Sequence, residues 1–103
     1  MTRTDCLQET WLFDAKTNQW SVCCNYVYGD SGRLAEEQFL KSEERTVYHY
    51  DEKENIVEKI YYKKGNKIES NSYDGYGNII ESKNYENNVI TSAYKSEFEY
   101  YED

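Results

Sequence analysis

The sequence predicts an all-β fold, an antiparallel meander of repeated β-hairpins that forms a twisted sheet. Clusters of turn-forming residues recur about every ten to twelve positions, which is the spacing typical of an all-β meander. A segment led by tyrosine (Tyr28, Tyr50, Tyr73) recurs after 22 and then 23 residues, and such a period indicates a repeated supersecondary unit. The chain has no proline, so no residue of a strand lacks a backbone N–H for ladder pairing.

Six turn clusters, together with the gap at 41–45, separate eight predicted strands. Turns are expected at 14–18, 30–32, 51–55, 64–66, 74–78 and 86–88, where Asp, Asn, Gly or Ser can bend the chain. The predicted strands are 7–13, 19–28, 34–40, 46–50, 56–62, 67–73, 79–85 and 89–101. Polar residues lie on both faces of several of them, as in 67–73 and 79–85. The sheet therefore does not require a second layer, and a single layer, open or curled on itself, would suffice.

Two of these strands rest on weaker patterns. Residues 34–41 are good helix formers, and four of them fall near one helical face: Leu34, Ala35, Gln38 and Phe39. We predict a strand there because the repeat that follows needs a pairing partner. In the last strand, alternation predicts one shared face for Ile90, Tyr94, Phe98 and Tyr100.

The repeated segment resembles the YD repeat of RHS-type proteins, whose core reads roughly Tyr-Asp-x-x-Gly-Asn/Arg-Leu/Ile. Residues 73–79 match it well, Glu54 replaces the glycine in 50–56, and 28–34 has Gly-Asp for Asp. Residues 13–20 are also similar to the aspartate-to-tryptophan turns of related tyrosine-rich repeat proteins of Bacteroidetes. The resemblance implies a β-hairpin array, and in large relatives a shell or surface-displayed scaffold. Residues 1–103 would then form a single YD-repeat-like β domain.

The net charge of −8 limits the class of partner. Nucleic acid and anionic membrane surfaces require clustered Lys and Arg, so we expect neither as a direct partner. A basic protein is favoured, although acidity can also serve solubility alone. The sequence has neither a long apolar run nor a signal-peptide pattern after Met1, which predicts a cytoplasmic protein or a domain of a longer secreted one.

Residues that could carry metal or catalytic chemistry are few. The odd cysteine count (Cys6, Cys23, Cys24) suits reduced thiols, and neighbouring strand residues are expected to face opposite sides of the sheet. His49 is the sole histidine, so a Cys-His pair or a zinc site would need it, but no Cys-x-x-Cys spacing supports zinc.

Carboxylates are abundant but explained by turns and solvated faces. Calcium would use the turn residues Asp51, Glu52, Glu54, Asn55, Asp74 and Asn78, yet these lack the alternation of a calcium loop. Paired carboxylates for hydrolysis could come from Glu36 with Glu37, Glu43 with Glu44, or Glu97 with Glu99. We predict no enzyme activity, no cofactor and no metal.

The twelve tyrosines favour protein binding, because tyrosine gives large contact area at low entropic cost. The alternative is cross-strand aromatic pairing that only stabilises a thin sheet. We predict a contact centred on Tyr73, Tyr76, Tyr85 and Tyr94 and ringed by Glu58, Glu69, Glu81 and Glu97. The predicted function is a small inhibitor, of the immunity-protein or anti-CRISPR type, that binds a basic partner such as a nuclease. A homodimer through an edge strand is a further possible contact. The alternative function is a structural fragment of an RHS/YD-repeat cell-surface or toxin-shell protein.

Overall fold

The computed structural model describes residues 6–29 and 31–101, and within them eight antiparallel strands form one sheet. Each strand pairs with its neighbours in sequence, so the order runs from β1 to β8 without a crossover. The strands are β1 (Cys6–Asp14), β2 (Gln19–Tyr28), β3 (Leu34–Phe39), β4 (Glu44–Tyr50), β5 (Ile56–Lys63), β6 (Asn66–Tyr73), β7 (Ile79–Glu86) and β8 (Val89–Lys95). The predicted all-β meander of hairpins is confirmed, including the strand at the helix-like segment. No helix capable of spanning a bilayer is present in the described part of the chain.

The seven connections alternate between the two ends of the sheet. At one end, two of them are two-residue turns in which both residues have positive φ: Lys64 (51°) with Gly65 (81°), and Asn87 (53°) with Asn88 (64°). This backbone conformation matches the twist of the strands that it joins. The connections at the other end are the three tyrosine-led repeats, so these repeats form a row along one edge of the sheet.

The prediction for the last strand is wrong in two respects. β8 ends at Lys95, and only the Ser96 N–H still bonds to the carbonyl of Ile80 before the chain leaves the ladder. A bulge between Ser92 and Ile90 leaves Thr91 without a direct partner in β7. Because an extra residue reverses the alternation of side chains, Ile90 and Tyr94 lie on opposite faces of the sheet.

The sheet has almost no buried core. Among the described residues, only Ile60 (9% exposed) and Ser70 (6% exposed) are buried, and they are direct cross-strand partners in β5 and β6. No second layer of the described chain covers either face. The fold therefore depends on ladder hydrogen bonds and cross-strand side-chain pairs, and both of its faces meet solvent.

Candidate functional site

The three tyrosine-led turns share one backbone design. In each, the leading tyrosine pairs across the ladder with the aliphatic residue six positions later, and a bulge lies directly next to this pair. The three pairs are Tyr28 with Leu34, Tyr50 with Ile56, and Tyr73 with Ile79. The residue after each tyrosine donates its N–H to the carbonyl four residues on, at 2.9 Å in all three copies. The sequence repeat is therefore a structural repeat.

An aspartate organises the second and third turns. Asp74 Oδ1 accepts backbone N–H bonds from Tyr76 and Asn78, each at 2.9 Å, and Asp51 Oδ1 accepts the same two bonds in its own turn. These bonds hold the carboxylates in the anionic form. The pKa of Asp74 is lowered most by the hydroxyl of Tyr100 and then by the backbone bonds, while the pKa of Asp51 is lowered most by its bond from Asn55. Since backbone groups occupy these oxygens, turn formation accounts for the aspartates.

Side chains also connect one turn to the next. Arg33 of the first turn bonds Glu54 of the second at 2.7 Å. Tyr100, beyond β8, reaches the third turn, where its hydroxyl donates to the Asp74 carboxylate and accepts from Asn78 Nδ2 at 2.6 Å. Its ring stacks on Tyr76 with the centroids 4.1 Å apart. The turns thus form a contiguous edge and not three separate loops.

The cross-strand register divides the tyrosines unequally between the two faces. One face, called here the tyrosine face, carries seven of the twelve: Tyr26, Tyr28, Tyr48, Tyr50, Tyr61, Tyr73 and Tyr94. Tyr26 is the cross-strand partner of Glu37, Glu37 of Thr46, and Thr46 of Tyr61, so Tyr26 and Tyr61 share one face. The alternation of side chains within each strand assigns the other five tyrosines to the same face. The opposite face carries two tyrosines, Tyr62 and Tyr85.

Hydrogen bonds fix several rings on the tyrosine face. Tyr48 donates to Glu37 Oε1 at 2.5 Å, and Tyr61 donates to Glu44 Oε1 at 2.6 Å. Burial, followed by the bond to Glu37, raises the pKa of Tyr48, and the bond to Glu44 raises the pKa of Tyr61. Lys59 Nζ lies within cation–π range of the Tyr48 ring, 5.6 Å from its centroid. These tyrosines are neutral and held in place, which reduces the entropy that a binding partner would have to remove.

The opposite face, called here the ion-pair face, is dominated by charges. Its pairs are Arg45 with Glu36 (3.8 Å), His49 with Glu58 (3.9 Å), and Glu81 with both Lys83 (3.1 Å) and Lys95 (4.0 Å). Arg45 also stacks on Tyr62, with its guanidinium carbon 4.2 Å from the ring centroid. The charges on this face neutralise one another locally, whereas aromatic rings cover the other face.

The eight residues predicted as a contact do not form one surface. Tyr73, Tyr94 and Glu69 lie on the tyrosine face, whereas Tyr85, Glu58 and Glu81 lie on the ion-pair face. Tyr76 lies in the third turn and Glu97 follows β8. A flat partner could contact only the first group together with Tyr76 at the sheet edge. The predicted contact did not include Tyr26, Tyr48 and Tyr61, whose shared face depends on a register that the bulges shift.

A second surface, absent from the sequence predictions, lies where β1 and β2 extend past the rest of the sheet. β3 pairs with β2 only from Cys24 onward, so residues 11–22 form a two-stranded arm. Trp11 (53% exposed), Leu12 (61%) and Trp20 (64%) are largely exposed on it, and the Phe13 and Trp20 rings pair at 5.1 Å. The concentration of large apolar residues at 11–13 and 20 is the sequence signal that could have identified this arm.

The prediction that Cys23 and Cys24 face opposite sides is wrong. The β1–β2 ladder pairs Thr10 with Cys24 and then Trp11 with Val22, so Cys23 is the extra residue of a bulge. The bulge brings the two Sγ atoms to 3.2 Å. The bond with Cys23 is the main cause that raises the pKa of the Cys24 thiol. The side chain of Cys6, the third member of the predicted zinc set, lies outside the described residues.

The remaining candidates for chemistry are isolated. His49 is 53% exposed, and Glu58 is its acidic neighbour on the ion-pair face. Within residues 6–29 and 31–101, no three His, Cys, Asp or Glu side chains are grouped closely enough to hold a metal ion. No protein-family model and no curated protein matches this chain. The resemblance to YD repeats therefore stays a prediction from sequence.

Proposed function

We propose that this chain is a non-enzymatic binding protein that uses the tyrosine face to contact a partner protein. The observation that carries the proposal is the concentration of seven tyrosines on one face of the sheet, over which the described residues place no second layer. A core cannot be their purpose, since Ile60 is the one buried apolar residue among those described. Aromatic rings that are already fixed in place are what a recognition surface requires.

The charge supports a basic partner. The net charge is −8, and the ion-pair face neutralises part of its charge internally. On the tyrosine face, Glu37 and Glu44 accept from tyrosine hydroxyls and Glu69 accepts from Asn71, so three carboxylates lie among the aromatic rings. Lys59 and Lys63 offset part of this negative charge on the same face. Such a surface complements a basic groove of the kind that nucleases use to hold phosphates. An inhibitor of the immunity-protein or anti-CRISPR type, acting in the cytoplasm, is the corresponding biological role.

The experiment has two stages. Affinity capture from the native host followed by mass spectrometry identifies the partner, and the purified pair is then measured by surface plasmon resonance. Tyr94 is 65% exposed on the tyrosine face, and Tyr94→Ala is expected to weaken binding about 30-fold, the equivalent of about 2 kcal/mol. His49→Ala is the matched control, because His49 is exposed on the opposite face. Equal effects of the two variants would refute use of the tyrosine face.

The electrostatic part is tested separately. Charge reversal of Glu37 and Glu69 is expected to slow association with little change in dissociation, and physiological salt should reduce the association rate of the wild type. If the association rate does not change with salt, the negative charge does not steer binding and serves solubility only.

The alternative proposal is a scaffold in which the repeat array is itself the function. The contacts along the edge of turns favour it: Arg33 of the first turn bonds Glu54 of the second, and Tyr100 bonds Asp74 of the third. Within residues 6–29 and 31–101, β1 and β8 are the edge strands of the sheet, and more repeats or a second copy of the chain could extend them. Sequencing of the flanking gene distinguishes the proposals, because a scaffold requires further repeats in the same reading frame. Light scattering would detect the homodimer.

A further inference from the structure

The bulge in β2 holds the thiols of Cys23 and Cys24 next to each other. In a regular strand, neighbouring side chains point to opposite faces, and only the bulge at Cys23 brings these sulfurs to 3.2 Å. Both cysteines are free and half-buried, so solvent and small molecules reach them. Two adjacent, accessible thiols on one side of a strand can bind one atom together.

The geometry disfavours a disulfide. Adjacent residues have Cα atoms about 3.8 Å apart, whereas disulfides usually join Cα atoms that are about 4.4–6.8 Å apart. Ring closure between Cys23 and Cys24 would therefore be strained. The raised pKa of the Cys24 thiol also lowers the thiolate fraction that attacks peroxide.

A tetrahedral zinc ion fits no better. Two metal–sulfur bonds of about 2.3 Å span a 3.2 Å gap only at an angle of about 90°, which is narrower than a tetrahedral angle. Zinc also needs two further ligands, and no group of three ligating side chains occurs in the part of the chain that is described. The pair suits a soft, pyramidal centre that brings its own third substituent.

A cleft with an apolar part adjoins Cys23. It has a volume of about 640 Å³, and its apolar lining includes Leu12, Phe13, Val22 and Leu40, while Asp14, Lys16, Ser21 and Lys41 supply polar groups. The cleft lies at the base of the two-stranded arm, where β3 ends and the backbone of Leu40 bonds to the carbonyl of Cys23. A hydrophobic substituent on a thiol-bound atom would have a place to lie.

We propose that Cys23 and Cys24 form a chelating dithiol site for thiophilic trivalent centres that carry an apolar substituent, with aryl arsenicals as the chemical class. With phenylarsine oxide, two As–S bonds form and the As–O double bond breaks. The two S–H protons leave with that oxygen as one water molecule, and arsenic stays trivalent, so no oxidant is needed. The phenyl ring occupies the cleft beside Leu12 and Leu40.

Intact-mass spectrometry in excess glutathione tests the site, because a monothiol competes poorly with a chelating pair. Wild type and Cys6→Ser are expected to gain one phenylarsenic group each, which a small dithiol removes. Cys23→Ser and Cys24→Ser are expected to gain none. An adduct that survives in either of these variants, that is lost in Cys6→Ser, or that never forms in the wild type overturns the proposal.

The cleft provides a second readout that does not require the cysteine variants to fold. Leu12→Ala is expected to weaken binding of phenylarsine oxide about fourfold or more, through lost apolar contact, while leaving binding of methylarsine oxide unchanged. Leu7→Ala is the matched control, since Leu7 is comparably exposed (58%) but does not line the cleft. Equal loss for both arsenicals, or equal loss in the control, would refute a role of the cleft.

Discussion

Two glycines in the third turn allow the free-energy cost of its left-handed backbone conformation to be measured. Gly77 has a φ of +85°, whereas Gly75 lies outside the positive-φ region, and a Cβ at either position would meet no atom within 4 Å. Gly77→Ala and Gly75→Ala therefore differ only in backbone conformation. A left-handed conformation costs an L-residue about 1–2 kcal/mol, and both variants gain about 0.4–1 kcal/mol because the unfolded chain loses entropy.

The unfolded-state gain is common to both variants and cancels in their comparison. We expect Gly77→Ala to be less stable than Gly75→Ala by about 1.5 kcal/mol, with Gly75→Ala at or above wild-type stability. Urea unfolding followed by circular dichroism measures the difference, and equal m-values would confirm that the midpoints are comparable. A difference below about 0.5 kcal/mol would contradict the assignment of left-handed strain to this position.

The second turn provides the reverse substitution. Glu54 adopts a φ of 67° at the position that Gly77 fills in the third turn, but its carboxylate also bonds Arg33. Glu54→Gly removes the cost of a positive φ, which raises the stability of the fold, and removes the ion pair with Arg33, which lowers it. The two effects on stability therefore oppose each other. In an Arg33→Ala background the ion pair is already absent, and Glu54→Gly is expected to be more favourable there than in the wild type. The same effect in both backgrounds would show that the ion pair contributes nothing.

Two further predictions concern the carboxylate and the centre of the sheet. The pKa of Asp74 is lowered in the folded state, so its contribution to stability is complete above the unfolded value of about 3.9 and is lost as the pH falls through the folded value. Asp74→Asn should therefore be less stable at neutral pH and lose less stability between about pH 4 and pH 2, and parallel pH–stability curves would contradict this. Ile60→Ala should cost about 2–3 kcal/mol in thermal or urea unfolding, against about 1 kcal/mol at most for Ile79→Ala, which is 45% exposed and shares the loss of β-propensity. Equal costs would mean that Ile60 is not the packing centre.

Local chemistry was sufficient to predict the strands and turns. The Asp, Gly and Asn residues that bend the chain act within four or five positions, so 74–78 could be identified as a turn without any tertiary information. The strand predicted at 34–40, from the needs of the repeat and against its own helix propensity, forms at 34–39. Pairing on both edges outweighs a preference of a few tenths of a kcal/mol.

The faces of the sheet could not be read from alternation alone. Each bulge adds one residue to one strand and reverses the side on which its later residues lie. For this reason Tyr85 and Tyr94, predicted as parts of one contact, lie on opposite faces, and Cys23 and Cys24, predicted to face apart, have their sulfurs in contact.

The sequence by itself determined the number and order of the strands and six of the seven turns between them, since turn signals act between residues close together in the chain. Only the tertiary structure decided which side chains share a surface, since that depends on the sum of all register shifts across the sheet. The tyrosine face and the thiol pair depend on those shifts, and the exposed arm of residues 11–22 depends on where β3 stops pairing with β2. The physical reason is that turn formation is local, whereas the face on which a strand residue lies changes with each inserted residue.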